Sequence, residues 1–528
     1  MPFQRTEIDF SITRTLPSLV TDYLAHEGSL KPFYSFHPDP DGFKAAIEKR
    51  KTSVVDRTLL TTVLKDQYQE MNAPVRANID SLSDENTFTV TTGHQLNLLT
   101  GPLYFIYKIL STIKLSQWLK VKYPQHNFVP LYWMASEDHD IEEINHTFLY
   151  SKQVTWATTQ KGPAGRLTSE GISEVIELAK SMLGESEQTN KIIELLTNAY
   201  SKENSLSKAT RILVDFLFSK YGLVILDADD TRLKKSFIPV MQEELISQTS
   251  FLKTSETIKA LDELKYEAQV TPREINLFYL SDHSRERIVK AEGKYKVLNS
   301  SLEWDEKGIL KELNENPDRF SPNVVLRPLY QETILPNLAY VGGPSELSYW
   351  FEYKSMFDHF NTCFPILVLR NCAMVIDESS VQRMEKLGIS RTDLFKSFDL
   401  LSKEFISRNQ DSFSMTAEAT KIQQAYDDLV RKVSGIDSTL AKSVESEKQK
   451  QLNGLTVLEE KITRSQKKKH EVSLQQIQKL KERFFPGGTP QERIDNFLPY
   501  YAKYGSAFFD MMLESFHPVA NEYMVITE

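Results

Sequence analysis

The sequence predicts an open parallel α/β core, interrupted by inserted segments and followed by an antiparallel pair of long helices. Three observations point there. A strand–turn–helix–strand unit lies between Phe88 and His146, and a second strand–glycine–helix unit lies between Phe320 and Met374. A proline-free stretch between Pro365 and Pro486 carries Ile422, Tyr426, Leu429, Val433, Ile436 and Leu440 at steps of 4, 3, 4, 3, 4, the spacing of a helical seam.

Thr87–Thr91 alternates β-branched and aromatic residues as a strand does. It runs into Thr92-Gly93-His94-Gln95, where glycine permits a turn that other residues resist. Thr100-Gly101-Pro102 reads as a helix start, and Leu103, Ile106, Leu110, Ile113 and Leu119 recur at helical spacing over Leu103–Val121. Phe128–Ala135 is apolar enough for a strand buried on both faces and ends in Ser136-Glu137-Asp138-His139-Asp140. Open parallel sheets bind ligands beyond the carboxyl ends of their strands, so His94 and the acidic turn are expected to flank one crevice.

The remaining elements follow in order. Ser18–Tyr23 and Phe43–Leu64 read as helices separated by a loop holding Pro32, Pro38 and Pro40. Gly162–Arg166 reads as a loop with Arg166 facing solvent, and Val175–Leu183 with Lys191–Tyr200 as a helical pair. A helix over Ala209–Phe218 precedes a strand over Gly222–Asp227, with Asp229 or Asp230 as a helix cap. Tyr266–Val270, Asn276–Tyr279 and Lys294–Leu298 read as short strands of an inserted subdomain. Val324–Tyr330 is an apolar run carrying Arg327. Leu338–Val341 leads through Gly342-Gly343-Pro344-Ser345-Glu346 into a helix reaching Phe357, and the glycines leave room for an anion at its N-terminus. Pro365–Arg370 reads as a further strand. Gly435 is expected to turn the chain between two antiparallel helices, the second spanning Thr439–Phe484 for roughly 70 Å. Its Lys467-Lys468-Lys469 run is expected to be a solvated face, and Gln491–Glu514 a closing helix. These readings divide the chain into core 1–150, helical insertion 151–205, core 206–250, mixed insertion 251–319, core 320–375 and coiled-coil module 376–528.

Bulk properties narrow the function. Five hundred and more residues imply several modules. A net charge of −9 over 528 residues argues against nucleic acid as the partner. Cys363 and Cys372 are the two cysteines and fit neither a disulfide framework nor zinc spacing, as in a reducing cytoplasm. Met1-Pro2-Phe3-Gln4-Arg5-Thr6-Glu7 offers no apolar leader, and no run approaches the roughly 20 apolar residues that span a bilayer. These properties point to a soluble intracellular protein.

Four stretches carry a family resemblance: Thr92–Gln95 with Thr100–Tyr104; Ala135–Asp140 with Glu142-Glu143 and Asn145-His146; Tyr340–Glu346 with Tyr349-Trp350; and Phe485–Gly488 with Gln491-Glu492-Arg493. In order and spacing the chain resembles the bacillithiol-synthesis cysteine-adding enzymes, the BshC family. The resemblance implies a Rossmann-like core with connecting insertions and a coiled-coil module forming a homodimer. It also implies a ligase that joins the carboxyl group of cysteine to the amine of glucosaminyl malate. That reaction needs an activated carboxyl, an acyl phosphate or adenylate. The chain holds neither a P-loop nor a His-x-Gly-His turn with a Lys-Met-Ser-Lys-Ser loop, which leaves the cofactor open, with ATP and Mg²⁺ as one option. Asp138 and His139 are expected as the acid–base pair, joined by His94, which becomes a substrate contact if glutamine often stands there in the family. Gly93, Gln95, Tyr104, Glu137, Arg327, Tyr330, Gly342, Gly343 and Glu346 are the expected substrate contacts. Glu137 or Asp140 would hold an ammonium or Mg²⁺, and Lys108, Arg327 or Arg370 the malyl carboxylates. The alternatives are a nucleotidyltransferase-like enzyme acting on another acceptor and an inactive coiled-coil scaffold.

Overall fold

The computed structural model describes residues 3–409 and 414–528, so Met1 and Pro2 of the N-terminal stretch and the side chains of Lys467 and Lys469 in the lysine run lie outside the described residues. The chain divides into two compact units, residues 1–375 with 489–526, and 376–488 with 527–528.

The first unit is built on five parallel strands: β1 (Thr87–His94), β2 (Asn127–Met134), β3 (Val224–Asp227), β4 (Asn337–Gly342) and β5 (Ile366–Leu369). Their spatial order is β5-β4-β1-β2-β3. The order reverses between β1 and β4, and the crevice beyond those two strand ends is where such sheets bind ligands. Alternation along β1 explains its threonines. Phe88 and Val90 enter an apolar cluster with Leu115, Leu119, Phe128, Leu338 and Ile366. On the opposite face Thr89 and Thr91 donate to Asn337 Oδ1 at 3.1 and 2.7 Å.

Helix α1 (Leu103–Lys122) crosses from β1 to β2 with Pro102 as its N-cap. The turn before it holds the strain that the sequence reading placed at Gly93, because Leu99, Thr100 and Gly101 have φ of 50, 72 and 65°. A Cβ on Gly101 would stand 2.7 Å from Asn97 Cβ. Asn496 holds this turn from the far end of the chain, donating to the carbonyls of Leu99 and Gly101 at 2.9 and 2.7 Å. Gly93 itself lies in β1.

Several expected elements differ. Phe43–Leu64 splits into helices Pro40–Lys51 and Arg57–Gln67, the second capped by Asp56. Arg327–Ile334 is a helix with Pro328 in its first turn. The helix after Gly343, α2 (Pro344–Phe351), stops before a second helix over Lys354–His359. Tyr266–Val270 is irregular. The insertion instead forms an antiparallel sheet in the order Glu303–Trp304, Lys294–Val297, Ser284–Ala291, Leu277–Ser281, Phe320–Pro322. Gln491–Glu514 is not one helix: a short turn and helices Leu498–Tyr504 and Ala507–Ser515 precede the strand Glu522–Thr527.

In the second unit, helices Thr416–Ser434 and Ser438–Lys469 run antiparallel, with Lys448 Nζ 2.8 Å from Asp427 Oδ1. Gly435 ends the first with φ −77°, a right-handed turn that any residue adopts. The expected continuous return helix breaks at His470, and Glu471–Phe484 follows separately. Ile477, Leu480 and Phe484 are buried within this unit, beside helices Glu378–Leu387 and Phe398–Asn409. They are core residues, not a seam left for a second copy. Among the described residues no helix is long and apolar enough to cross a membrane.

Beneath β4 lies a buried acid. Glu332 Oε1 accepts from Gln331 and Asn337 at 2.8 and 2.7 Å, and its Oε2 is 3.8 Å from Arg50. Burial pushes this carboxyl up from 4.5 to about 7, against the pull of Arg50 and the two amides. The folded chain therefore keeps a proton that the unfolded chain releases across that window. The resulting stability is full below the unfolded value and is lost as pH rises through the folded one. Glu332→Gln is expected to remove this dependence. Between about pH 5 and about pH 8 the unmodified protein should lose as much as about 3 kcal/mol relative to the variant, read from chemical denaturation at the two pH values.

Candidate active site

Each wall of the site follows from a strand end. Where β1 finishes, the Gly93 carbonyl accepts from Lys108 Nζ at 2.6 Å, and the same ammonium stands 2.6 Å from Glu346 Oε1 in the first turn of α2. Lys108 is 1% exposed. Burial pulls its pKa down and Glu346 pushes it back up. Tyr340, at the end of β4, donates to the other Glu346 oxygen at 2.9 Å. A Cβ on Gly93 would sit 3.4 Å from the Tyr340 hydroxyl and 3.6 Å from Arg327 Nη1, so glycine keeps this floor open.

At the end of β2 the acidic turn folds back over β1. Gln95 Nε2 donates to Asp138 Oδ2 and Glu143 Oε2 at 2.6 and 2.8 Å. Burial of Asp138 opposes its charge, but hydrogen bonds from His139 and Gln95 and the nearby Arg285 guanidinium hold its carboxyl far below the usual range. Such a carboxylate is a fixed anion and a weak base. Glu137 is the opposite case. Burial pushes its carboxyl up while Lys234, in hydrogen-bond contact with its Oε1, pulls the other way. Asp140 faces away and caps the short helix Ile141–Ile144, so it is not the ammonium or metal holder expected of it.

These groups line one cavity of about 650 Å³, together with His94, Tyr104, Trp133, Arg273, Arg285, Arg287, Arg327 and Tyr349. His94 stacks on Phe105 at 4.9 Å, and its Nε2 is buried without a partner. Burial first, then the charges of Lys108 and Arg370, push its pKa well below the ordinary histidine value, so the ring stays neutral. Arg327 lies 5.9 Å over Trp133 and 5.8 Å over Tyr340, gives Nη1 to Gln331, and keeps a buried Nη2 without a partner.

Nine expected residues therefore meet in the cavity: Gly93, His94, Gln95, Tyr104, Lys108, Glu137, Asp138, Arg327 and Glu346. Six do not line it, Asp140 among them. His139 sits outside, 41% exposed, with its Nδ1 accepting from Arg285 at 3.2 Å. Tyr330 is buried beneath, donating to the Ala228 carbonyl at 2.9 Å. Gly342 packs under Leu347, and Gly343 caps α2, where the Glu346 carboxylate already faces the helix start. Arg370 is committed to Glu492 at 2.8 Å. Arg166 is no solvent-facing residue, since it pairs with Asp229 at 3.0 Å, while Asp230 caps the helix Thr231–Lys235.

Sequence reasoning missed the insertion's contribution. Arg285 donates to Ser321 Oγ and the Pro322 carbonyl at 3.1 Å each, stacks 4.1 Å from Phe278 and lies 3.7 Å from Asp138. Arg273 and Arg287 line the cavity with no carboxylate partner among the described residues. The signal was the alternation Arg285-Glu286-Arg287 within one strand, which sends both arginines to one face.

Fold and cavity define a Rossmann-like α/β protein whose switch-point crevice gathers cations and carboxylates on one surface. The chain belongs to the bacillithiol biosynthesis BshC family. Residues 3–371 match that family's N-terminal Rossmann-like domain, and residues 373–528 its C-terminal coiled-coil domain. A protein of Christiangramia forsetii is 41% identical over 530 residues, covering 98% of each chain. One of Flavobacterium johnsoniae is 40% identical over 525 residues, covering 98% of this chain and 99% of that one. Both bear the name "Putative cysteine ligase BshC".

Removing the Lys108 ammonium would strand the Glu346 carboxylate and the Gly93 carbonyl. Lys108→Met is expected to cost about 3 kcal/mol, and Lys108→Met with Glu346→Leu distinctly less, both read from denaturant midpoints.

Proposed function

We propose that this chain is a ligase that forms an amide between the carboxyl group of cysteine and the amine of glucosaminyl malate, the last step of bacillithiol synthesis. The observation that carries this reading is one cavity holding both charge types. Arg327, with its open Nη2, and the unpaired Arg273 and Arg287 suit the two malyl carboxylates. Glu137, Asp138 and Glu143 suit the cationic amine and what activates the acid.

Glu137 is the base in this scheme, because a carboxyl raised by burial takes a proton more readily. It removes one ammonium proton, the freed nitrogen attacks the activated carboxyl carbon of cysteine, and the leaving oxygen departs, taking up the second N–H proton as the amide forms. Lys234 steadies the Glu137 carboxylate between turnovers. His94 contributes a neutral hydrogen-bonding ring and Tyr104 a wall of the acceptor pocket. Joining a free carboxylate to an amine in water is uphill, so the reaction needs an activating co-substrate, and this scheme takes ATP with Mg²⁺ in that part. Asp138 and Glu143, converging on Gln95, are the hard oxygen donors that suit Mg²⁺. A thiol product and two free cysteines suit a reducing cytoplasm.

Incubating purified protein with cysteine, glucosaminyl malate and Mg-ATP should yield the amide by mass spectrometry, with ADP or AMP release naming the activation route. Absence of product under these conditions would reject the reading. Asp138→Asn should lower kcat by about a hundredfold or more while the fold persists. Arg327→Ala should raise KM for glucosaminyl malate more than for cysteine.

The helical hairpin supports a homodimer. Leu429, Ile436, Leu440, Val457 and Leu458 are exposed along it, an apolar stripe that a second copy would cover. Leu440→Glu with Val457→Glu should convert a dimer into a folded monomer in sedimentation experiments.

A further inference from the structure

A second constellation lies away from the crevice, where the chain passes between helices Ser18–Leu24 and Pro40–Lys51. His26, His37 and Asp39 each place one ligand-type atom within 4.8 Å of the other two. The tautomer of His37 is dictated by its surroundings. Its Nε2 lies 3.0 Å from the Tyr23 carbonyl, which can only accept, so Nε2 carries the proton and Nδ1 presents a lone pair. That Nδ1 is buried without a hydrogen-bond partner, and Asp39 Oδ2 stands 3.5 Å away. Two acceptors thus face each other.

A cation resolves the conflict. Two ligand atoms bound to a tetrahedral ion at about 2.0–2.1 Å stand about 3.3 Å apart, close to the observed separation. A metal-binding histidine typically gives its other ring N–H to a carbonyl, as His37 does to Tyr23. The loop is also held in place. Asp39 Oδ1 is fixed by Gly42 N at 2.8 Å, leaving Oδ2 free. A side chain at position 42 would collide with the His37 carbonyl at 2.0 Å. His26, exposed and with φ of 60°, stacks on the His37 ring at 3.5 Å as the outer member.

We propose that His26, His37 and Asp39 bind one divalent transition ion of the Zn²⁺ class, with solvent completing its coordination. Two imidazoles and a carboxylate are a donor set suited to Zn²⁺ and poorly suited to Mg²⁺ or Ca²⁺. Bound there, the ion ties the end of the first helix to the cap of the next. Through Tyr23, whose hydroxyl donates to the Leu367 carbonyl at 2.9 Å, it also braces the edge strand β5.

The test uses tag-free full-length protein stripped with chelator, then equilibrium dialysis against Zn²⁺ alone and Co²⁺ absorption spectroscopy. One ion per chain is expected, with a visible Co²⁺ band of nitrogen–oxygen ligation and a higher melting midpoint with Zn²⁺. His26→Ala, at an exposed position, should weaken binding at least about tenfold without altering the fold. Asp39→Asn, which keeps the cap on Gly42, should do the same. Absence of binding at micromolar Zn²⁺ would overturn the proposal. So would binding that survives His26→Ala and Asp39→Asn but is lost in Asp138→Asn, which would place the ion in the crevice.

Discussion

The buried ammonium of Lys108 ties the site together. It reaches from α1 to the last carbonyl region of β1 and to the carboxylate that opens α2, joining the two strand ends between which the sheet order reverses. A buried charge is tolerable only when fully paired, so the Lys108 ammonium holds β1, α1 and α2 together. Gly93, Tyr340 and Arg327 converge on the cavity floor.

The crevice is electrostatically divided. Asp138 is held charged by donors on three sides, whereas Glu137 is made reluctant to ionise by burial next to a buried lysine. Neighbouring carboxyls with divergent proton affinities are how a fold separates an anion holder from a proton acceptor. The insertion shapes that division, since Arg285 supports Asp138 from outside the parallel sheet.

Much of the core was legible. Alternation in Thr87–Thr91, the apolar run ending at Met134 and the helical spacing after Pro102 are local signals, and their strands and helix stand nearly where those signals put them. Residues with two plausible jobs were not legible. His139 follows Asp138 directly, yet the turn sends its ring outward to Arg285. Gly342 and Gly343 look like a ligand cradle, but they serve the packing of Leu347 and the cap of α2. Ile477 and Leu480 carry a seam-like spacing that periodicity alone cannot assign to an inner or an outer face, and the partner helices that bury them lie some seventy residues or more away in sequence. Arginines 273, 285 and 287 could not be placed because their distance from the acidic turn is set by an insertion whose docking is non-local.

The clamp by Asn496 on the Leu99–Gly101 turn has a consequence for how the molecule is made. A ribosome delivers the crevice loop early and its clamp nearly last, with the whole helical unit emitted in between. Until then the strained turn lacks the Asn496 amide that its Leu99 and Gly101 carbonyls accept from. The crevice therefore matures only at the end of translation, and a chain cut short within the helical unit would carry every strand of the sheet yet lack a finished binding surface.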